Sequence, residues 1–110
     1  MGLACEEGFN KIRTRIETID PSERKVLAVF KFQVTQNGEI VKTMILDLVQ
    51  LTLTEGDGEA ECIMKIDDQI LADILEKRTD AGEALKAGLI EVEGKRELLL
   101  VLKEQIAHLN

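Results

Sequence analysis

The residue types that could carry nucleophilic catalysis are scarce in this chain. It has a single serine, Ser22, and a single histidine, His108, two positions from the end of the sequence. A Ser-His-acid triad needs its histidine held firmly as the general base, and chain ends are usually poorly ordered. Cys5 and Cys62 lie far apart and form no CxxC pair, so we expect both to be reduced and inert. The sequence therefore predicts that the protein is not an enzyme and has no catalytic residue.

Acidic residues occur in pairs that could be read as metal ligands or as acid–base groups. Asp67-Asp68 and Glu59/Glu61 are the clearest examples. A helix cap and an exposed strand face explain these pairs more simply. The loop "EGDGE" lacks the ligand pattern of an EF-hand, and no phosphate-binding glycine motif precedes a helix. One histidine and two scattered cysteines are too few for a usual zinc site. We expect no metal and no cofactor.

Composition and charge disfavour several other classes of protein. The chain has 110 residues, of which 45% are hydrophobic and 32% charged, which is typical of one soluble globular domain spanning residues 1–110. Its net charge of −7 disfavours nucleic acid and strong attraction to anionic membranes. We expect no signal peptide and no membrane-spanning segment. The ending "AHLN" does not match a peroxisomal signal of the Ser-Lys-Leu type, so we expect a cytoplasmic protein.

The most suggestive stretch for binding is "IDPSERKVLAVFKFQV", in which Arg24 and Lys25 directly precede an apolar strand. Basic residues after a helix often neutralise the negative end of that helix or pair with nearby acids. They could instead place a fixed positive charge at the entrance to the interior, where it would bind an anionic group. The residues alone leave both interpretations open.

The elements that must position these residues follow from hydrophobic periodicity. A first helix carries one apolar stripe and ends at Asp20-Pro21. A period-two strand from Val26 leads through the hairpin signal Asn37-Gly38 to a second strand, and a third strand follows in "VQLTLT". We expect these positions to face inward: Cys5, Phe9, Ile12, Ile16 and Ile19 on the helix, Val26, Ala28, Phe30, Phe32 and Val34 on the first strand, Ile40, Met44, Leu46 and Leu48 on the second, and Val49, Leu51 and Leu53 on the third.

The second half of the chain returns to helices after a fourth strand. Asp67 or Asp68 caps one helix, and Asp80 caps a short second helix that stops at Gly88. "LIEVE" is a brief fifth strand closed by Gly94, and an amphipathic helix closes the chain. Taken together, the element order predicts an α+β domain with a largely antiparallel sheet and helices on one face.

Several of these segments together resemble the sterol carrier protein-2 lipid-binding domain. They are the "VFKFQVTQNG" hairpin, "AGEALKAGLIEVEG" with its Gly-x-Ile-x-Val-x-Gly spacing, and the closing amphipathic helix. The likeness covers nearly the whole chain and is greatest for the short, free-standing, single-domain members. It implies a five-stranded, largely antiparallel sheet with helices packed on one face, enclosing a hydrophobic cavity.

The resemblance also implies a function and a set of site residues. It implies a non-enzymatic intracellular lipid carrier that binds fatty acids, sterols or fatty acyl-CoA and transfers them between membranes through transient contact. The head group would be bound by Arg24, Lys25 and Val26, with Arg15 as a secondary candidate. The cavity would be lined by Ile12, Ile16, Ile19, Phe30, Phe32, Met44, Leu46, Leu48, Met64, Ile66, Leu71, Ile74, Leu85, Ile90, Leu99, Leu102 and Ile106.

The principal alternative is a protein-interaction or regulatory module of the same fold with a filled core. A tightly packed aliphatic interior produces the same sequence pattern as a lined cavity, because the pattern does not reveal a void. We expect no nucleic-acid partner, and a monomer or a weak homodimer.

Overall fold

A computed structural model describes residues 3–18, 20, 22 and 27–102 of the chain. The described elements are α1 (Glu6–Thr18), β1 (Val29–Gln36), β2 (Glu39–Asp47), β3 (Thr52–Glu55), β4 (Cys62–Asp67), α2 (Asp68–Leu75), α3 (Ala81–Lys86) and β5 (Ile90–Gly94). Residues 98–102 are also helical. The predicted order of elements and the α+β class are confirmed.

The five strands form one sheet in the order β3-β2-β1-β4-β5. The pairs β1–β2, β2–β3 and β4–β5 are antiparallel, whereas β1 and β4 are parallel. The sheet is thus largely antiparallel, as expected, with a parallel pair at its centre. This pairing requires the chain to cross from the β3 edge to the other side of β1.

The crossover before β4 runs over the face of the sheet opposite the helices. Lys31 Nζ lies 2.6 Å from Asp57 Oδ1, and the backbone N–H of Glu61 donates to the carbonyl of Val29 at 2.9 Å. The helices pack on the other face of the sheet, and the buried apolar side chains of the strands point toward them. These are Phe30, Phe32, Val34, Met44, Leu46, Leu53, Cys62, Met64, Ile66 and Ile90.

Two details of β2 and β3 differ from the sequence prediction. The register of β1 and β2 shifts at Val34/Thr35, and beyond this irregularity Ile40 is 48% exposed instead of buried. Residues 48–51 form a turn instead of the start of β3. Leu51 adopts a φ of 59° there, and Val49 is half exposed. The alternation in "VQLTLT" predicted a longer strand because a turn with partly buried residues has the same apolar spacing over a few positions.

The helices begin where polar caps are available. Asp67 accepts from the backbone N–H of Gln69 at 3.0 Å, and Asp80 accepts from that of Glu83 at 3.1 Å, which starts α2 and α3 as predicted. The start of α1 is capped across the fold by Asp68. Its carboxylate accepts from the backbone N–H groups of Ala4 at 2.7 Å and Cys5 at 2.9 Å.

Candidate ligand-binding pocket

An apolar pocket of about 470 Å³ lies between the β4–β5 half of the sheet and the helices that cover it. This volume falls within the roughly 300–1,000 Å³ range of small-molecule sites. Strands β1, β4 and β5, helix α2, the start of α3 and the helical residues 98–102 all contribute to its wall. Its apolar lining consists of Phe32, Met64, Ile66, Leu71, Ile74, Leu75, Ala81, Ile90, Leu99 and Leu102.

Local periodicity explains why these side chains converge. Alternation along β4 sends Met64 and Ile66 to the helical face, and both are nearly fully buried. Leu71, Ile74 and Leu75 recur at spacings of three and four on α2, which places them on one side of the helix. Such a wall can exclude water from an apolar guest but offers it no hydrogen bond.

The polar part of the wall is the connection between α2 and α3, formed by Lys77, Arg78, Thr79 and Asp80. Arg78 Nε donates to Asp73 Oδ1 at 3.0 Å, so its guanidinium is held beside α2. The Asp80 carboxylate caps α3. This connection gives the pocket a charged rim on one side.

The structure brings eight of the predicted lining residues to this pocket. They are Phe32, Met64, Ile66, Leu71, Ile74, Ile90, Leu99 and Leu102. Seven other predicted lining residues do not line this pocket. Leu85 packs against the core, and six are buried in the core: Ile12, Ile16, Phe30, Met44, Leu46 and Leu48. Ile19 and Ile106 lie outside the described residues. Contact of any of these side chains with a ligand stays a prediction.

The predicted head-group residues are placed differently. Arg24, Lys25 and Val26 lie outside the described residues. Arg15 is exposed on α1 and does not line the pocket. The polar rim at residues 77–80 was not predicted. Its signal in the sequence is weak, since "EKRTD" reads as an ordinary connection between two short helices.

The buried ionisable groups outside the pocket are structural. Burial raises the pKa of Asp68, but hydrogen bonds from the Cys5 thiol, the backbone N–H groups of Cys5 and Ala4, and the Gln36 amide outweigh it and lower that pKa overall. Burial, together with the neighbouring Asp68 carboxylate, raises the pKa of Cys5 to about 12. Burial also raises the pKa of Cys62. Neither thiol is activated as a nucleophile.

A second, polar cleft of about 290 Å³ lies between α1 and the β2–β3 edge. Lys42 lines it, with Nζ 3.3 Å from Glu6 Oε1 and 3.7 Å from Glu55 Oε1. Among the predicted lining residues, Met44 borders this cleft. Because Glu6 and Glu55 balance the charges of Arg13 and Lys42, the cleft has no excess charge that would attract an ion.

Within the described ranges, no three His, Cys, Asp or Glu side chains cluster in a way that could hold a metal ion. No helix in the same part of the chain is both long and apolar enough to cross a bilayer.

Comparison with known proteins identifies the family. The profile of the SCP-2 sterol transfer family matches residues 9–106. The chain therefore belongs to this family, as the resemblance predicted. No curated protein sequence matches the chain.

Solved structures support the same assignment. Sterol carrier protein-2 from Aedes aegypti, solved in complex with the C16 fatty acid palmitate, is 39% identical over 100% of both chains, with a TM-score of 0.85. The palmitated sterol carrier protein-2-like-2 of the same organism is 30% identical over 92% of each chain, with a TM-score of 0.79. Sterol carrier protein-2-like-3, also from Aedes aegypti, is 19% identical over 97% of this chain and 99% of its own, and its TM-score of 0.88 shows the shared fold.

Proposed function

We propose that this protein is a non-enzymatic intracellular carrier that binds a fatty acid with its acyl chain in the apolar pocket. The observation that carries the proposal is the pocket itself, which is lined by aliphatic side chains and Phe32. A 39% identical relative solved with palmitate supports the choice of ligand. The alternative, a protein-interaction or regulatory module of the same fold with a filled core, would not bind a fatty acid.

The acyl chain supplies most of the binding free energy in this proposal. Burying about 14 methylenes at about 0.8 kcal/mol each gives roughly 11 kcal/mol before costs. Association costs about 4–15 kcal/mol, so the net affinity depends on how completely the chain is buried. Sterols and fatty acyl-CoA present comparable apolar area and are further candidate ligands. The pocket thus selects for length and apolar character more than for a particular molecule.

The head group would be bound by Arg24, Lys25 and Val26, as the family resemblance implies. A charge-assisted hydrogen bond contributes about 1.5–3 kcal/mol, and less where it is exposed to water. Arg15 stands on the exposed flank of α1 and would act as a secondary, long-range charge. These residues would orient the ligand and discriminate a carboxylate from a neutral head group.

Transfer between membranes in the cytoplasm is the remaining part of the proposal. Leu27 is 62% exposed and lies beside the proposed head-group residues in sequence, and Leu100 is also 62% exposed. We propose these two leucines as the side chains that make a transient contact with the apolar layer of a bilayer. A monomer or weak homodimer is sufficient for this activity.

Titration with a fluorescent fatty acid tests the proposal. Arg24→Ala together with Lys25→Ala should weaken binding by about tenfold, or about 1.4 kcal/mol, while folding is largely kept. Lys95→Ala with Arg96→Ala is the control, because it also removes one lysine and one arginine, at exposed positions that do not line the pocket. Among the residues that the structure describes, it breaks only the exposed ion pair of Lys95 with Glu61 at 3.6 Å. Equal fatty-acid affinity of the wild type and the Arg24→Ala, Lys25→Ala variant would overturn the head-group role of these residues. Absence of fatty-acid binding by the wild type would overturn the carrier function.

A further inference from the structure

Helix α2 ends in a Schellman motif that has a lysine where glycine is usual. The backbone N–H of Lys77 donates to the carbonyl of Ile74 at 3.1 Å, and that of Arg78 donates to the carbonyl of Asp73 at 2.7 Å. These bonds define the motif and require a left-handed residue after the C-cap. Lys77 occupies that position with a φ of 63°. A side chain there is unfavourable relative to glycine.

Helix α3 ends in the same motif and uses glycine. The N–H of Gly88 donates to the carbonyl of Leu85 at 3.1 Å, that of Leu89 donates to the carbonyl of Ala84 at 2.9 Å, and Gly88 has a φ of 77°. Gly88 does not line the pocket, whereas Lys77 does. Two consecutive helices therefore end in the same motif but have different residues at the left-handed position. The residue that is unfavourable in that conformation, Lys77, is the one that lines the pocket.

The charge of Lys77 is not used in an ion pair with any part of the chain that the structure describes. The neighbouring Arg78 has its Nε held by Asp73, and the Asp80 carboxylate accepts the capping hydrogen bond of α3. Lys77 is thus a cation at the edge of an apolar pocket, in a backbone conformation that is unfavourable for a residue with a side chain. Strain at a side chain that borders a pocket is an indication of function.

We propose that Lys77 is a specificity-determining residue: its ammonium attracts the anionic head group of an amphiphile in the pocket and gives the protein a preference for anionic over neutral ligands. The inference rests on the proposed function, and it adds a charge from the α2–α3 connection to the predicted head-group residues. The competing explanation is structural, because a lysine at the C-terminal end of a helix also stabilises the helix dipole.

Displacement of a fluorescent fatty acid by palmitate and by hexadecanol, which have the same chain length, separates these explanations. In the wild type, palmitate should bind more tightly than hexadecanol. Lys77→Gln should weaken palmitate binding about threefold to fivefold and leave hexadecanol binding unchanged. Lys86→Gln is the matched control, because Lys86 is a lysine in the last turn of α3 that does not line the pocket. Lys77→Gly should show the same selective loss and unfold at the same or a higher denaturant concentration, because glycine suits the left-handed φ.

The outcomes distinguish the two proposals. Equal binding of palmitate and hexadecanol by the wild type, or equal effects of Lys77→Gln and Lys86→Gln, would overturn the role of Lys77 while leaving the carrier function standing. A Lys77→Gln variant that loses both ligands equally would also overturn the role. Failure of the wild type to bind either ligand would overturn the proposed function, and the role of Lys77 with it.

Discussion

The two halves of the helical face of the sheet use the same aliphatic side chains but pack differently. Over the β3–β2 side, α1 buries Phe9, Ile12 and Ile16, each at most 3% exposed. Over the β4–β5 side, α2 and α3 border a pocket of about 470 Å³. Residue type therefore does not decide where a cavity forms in this fold.

The described helices also differ in length between the two sides. With 13 residues, α1 is about 20 Å long, whereas the eight residues of α2 extend only about 12 Å at 1.5 Å per residue. The six residues of β4 extend about 20 Å. On the β4–β5 side, two short helices joined by a connection lie over the sheet together with the helical residues 98–102, and the pocket lies between these segments and the strands.

The largest expected effect is a difference between the two halves in the stability that is lost when a buried side chain is truncated to alanine. Leu46→Ala, between buried Phe30 and Leu53 in register, should lower the free energy of unfolding by about 3 kcal/mol, because it creates a new void among fully buried side chains. Ile66→Ala removes a side chain that already borders the pocket and should cost less, about 1–2 kcal/mol.

Urea unfolding of both variants measures this contrast. The pair is matched, since each change removes three carbons from a strand residue that is at most 3% exposed. Equal losses of stability in the absence of lipid would show that the two halves are packed alike.

A smaller effect is expected where the halves meet, at Gly8 of α1. A Cβ added to Gly8 would lie 2.7 Å from Cβ and Cδ1 of Leu75, which also lines the pocket. Gly8→Ala should therefore lower the free energy of unfolding by about 1–2 kcal/mol, despite the higher helix propensity of alanine.

The same variant should weaken fatty-acid binding, because any shift of Leu75 that accommodates the added Cβ changes the wall of the pocket. Thr14→Ala, at an exposed site on the same helix, is the control for helix propensity, and it also removes the hydrogen bond from the Thr14 hydroxyl to the Asn10 carbonyl at 3.0 Å. Stabilisation of the protein by Gly8→Ala would contradict close contact between α1 and α2.

The smallest expected effect on stability concerns Asp68, the first residue of α2, whose carboxylate caps the start of α1. The pKa of Asp68 is lowered from its ordinary value of 3.8, so its contribution to stability is present above that value and is lost as the pH falls below it. Asp68→Asn should destabilise the protein by about 1 kcal/mol at pH 7, and by progressively less as the pH falls below about 4.

Denaturant titrations at pH 7 and pH 3 measure this dependence. Asp67→Asn is the adjacent control, since asparagine is as good an N-cap as aspartate. A difference between the wild type and Asp68→Asn that does not change with pH would show that the Asp68 carboxylate is not the stabilising group.

The fold could be predicted from the sequence to the extent that its signals are local. The stripe of α1, the Asn37-Gly38 hairpin and the caps at Asp67 and Asp80 each act within a few residues, and the structure confirms them. Residues 48–51 form a turn, although part of a strand was predicted there, and Ile40 is 48% exposed, although it was predicted to face inward. Each depends on a backbone irregularity that apolar spacing does not reveal.

The candidate site was predictable only in part, because a pocket is a property of several elements together. Alternation and helical spacing identified which side chains point inward, but they could not separate Ile66, at the pocket, from Leu46, in the filled core. Lys77 was missed because its significance depends on a left-handed φ and on the wall of the pocket.

Native mass spectrometry of protein purified from cells tests the central claim, that this pocket holds a lipid chain. The wild type should carry an additional mass near that of a fatty acid or sterol. Ala81→Trp, which places an indole ring at the pocket wall, should lose that mass, and Ala87→Trp, at an exposed position of the same helical segment that does not line the pocket, should keep it. A wild type with no additional mass, or an Ala81→Trp variant as fully loaded as the wild type, would contradict the account.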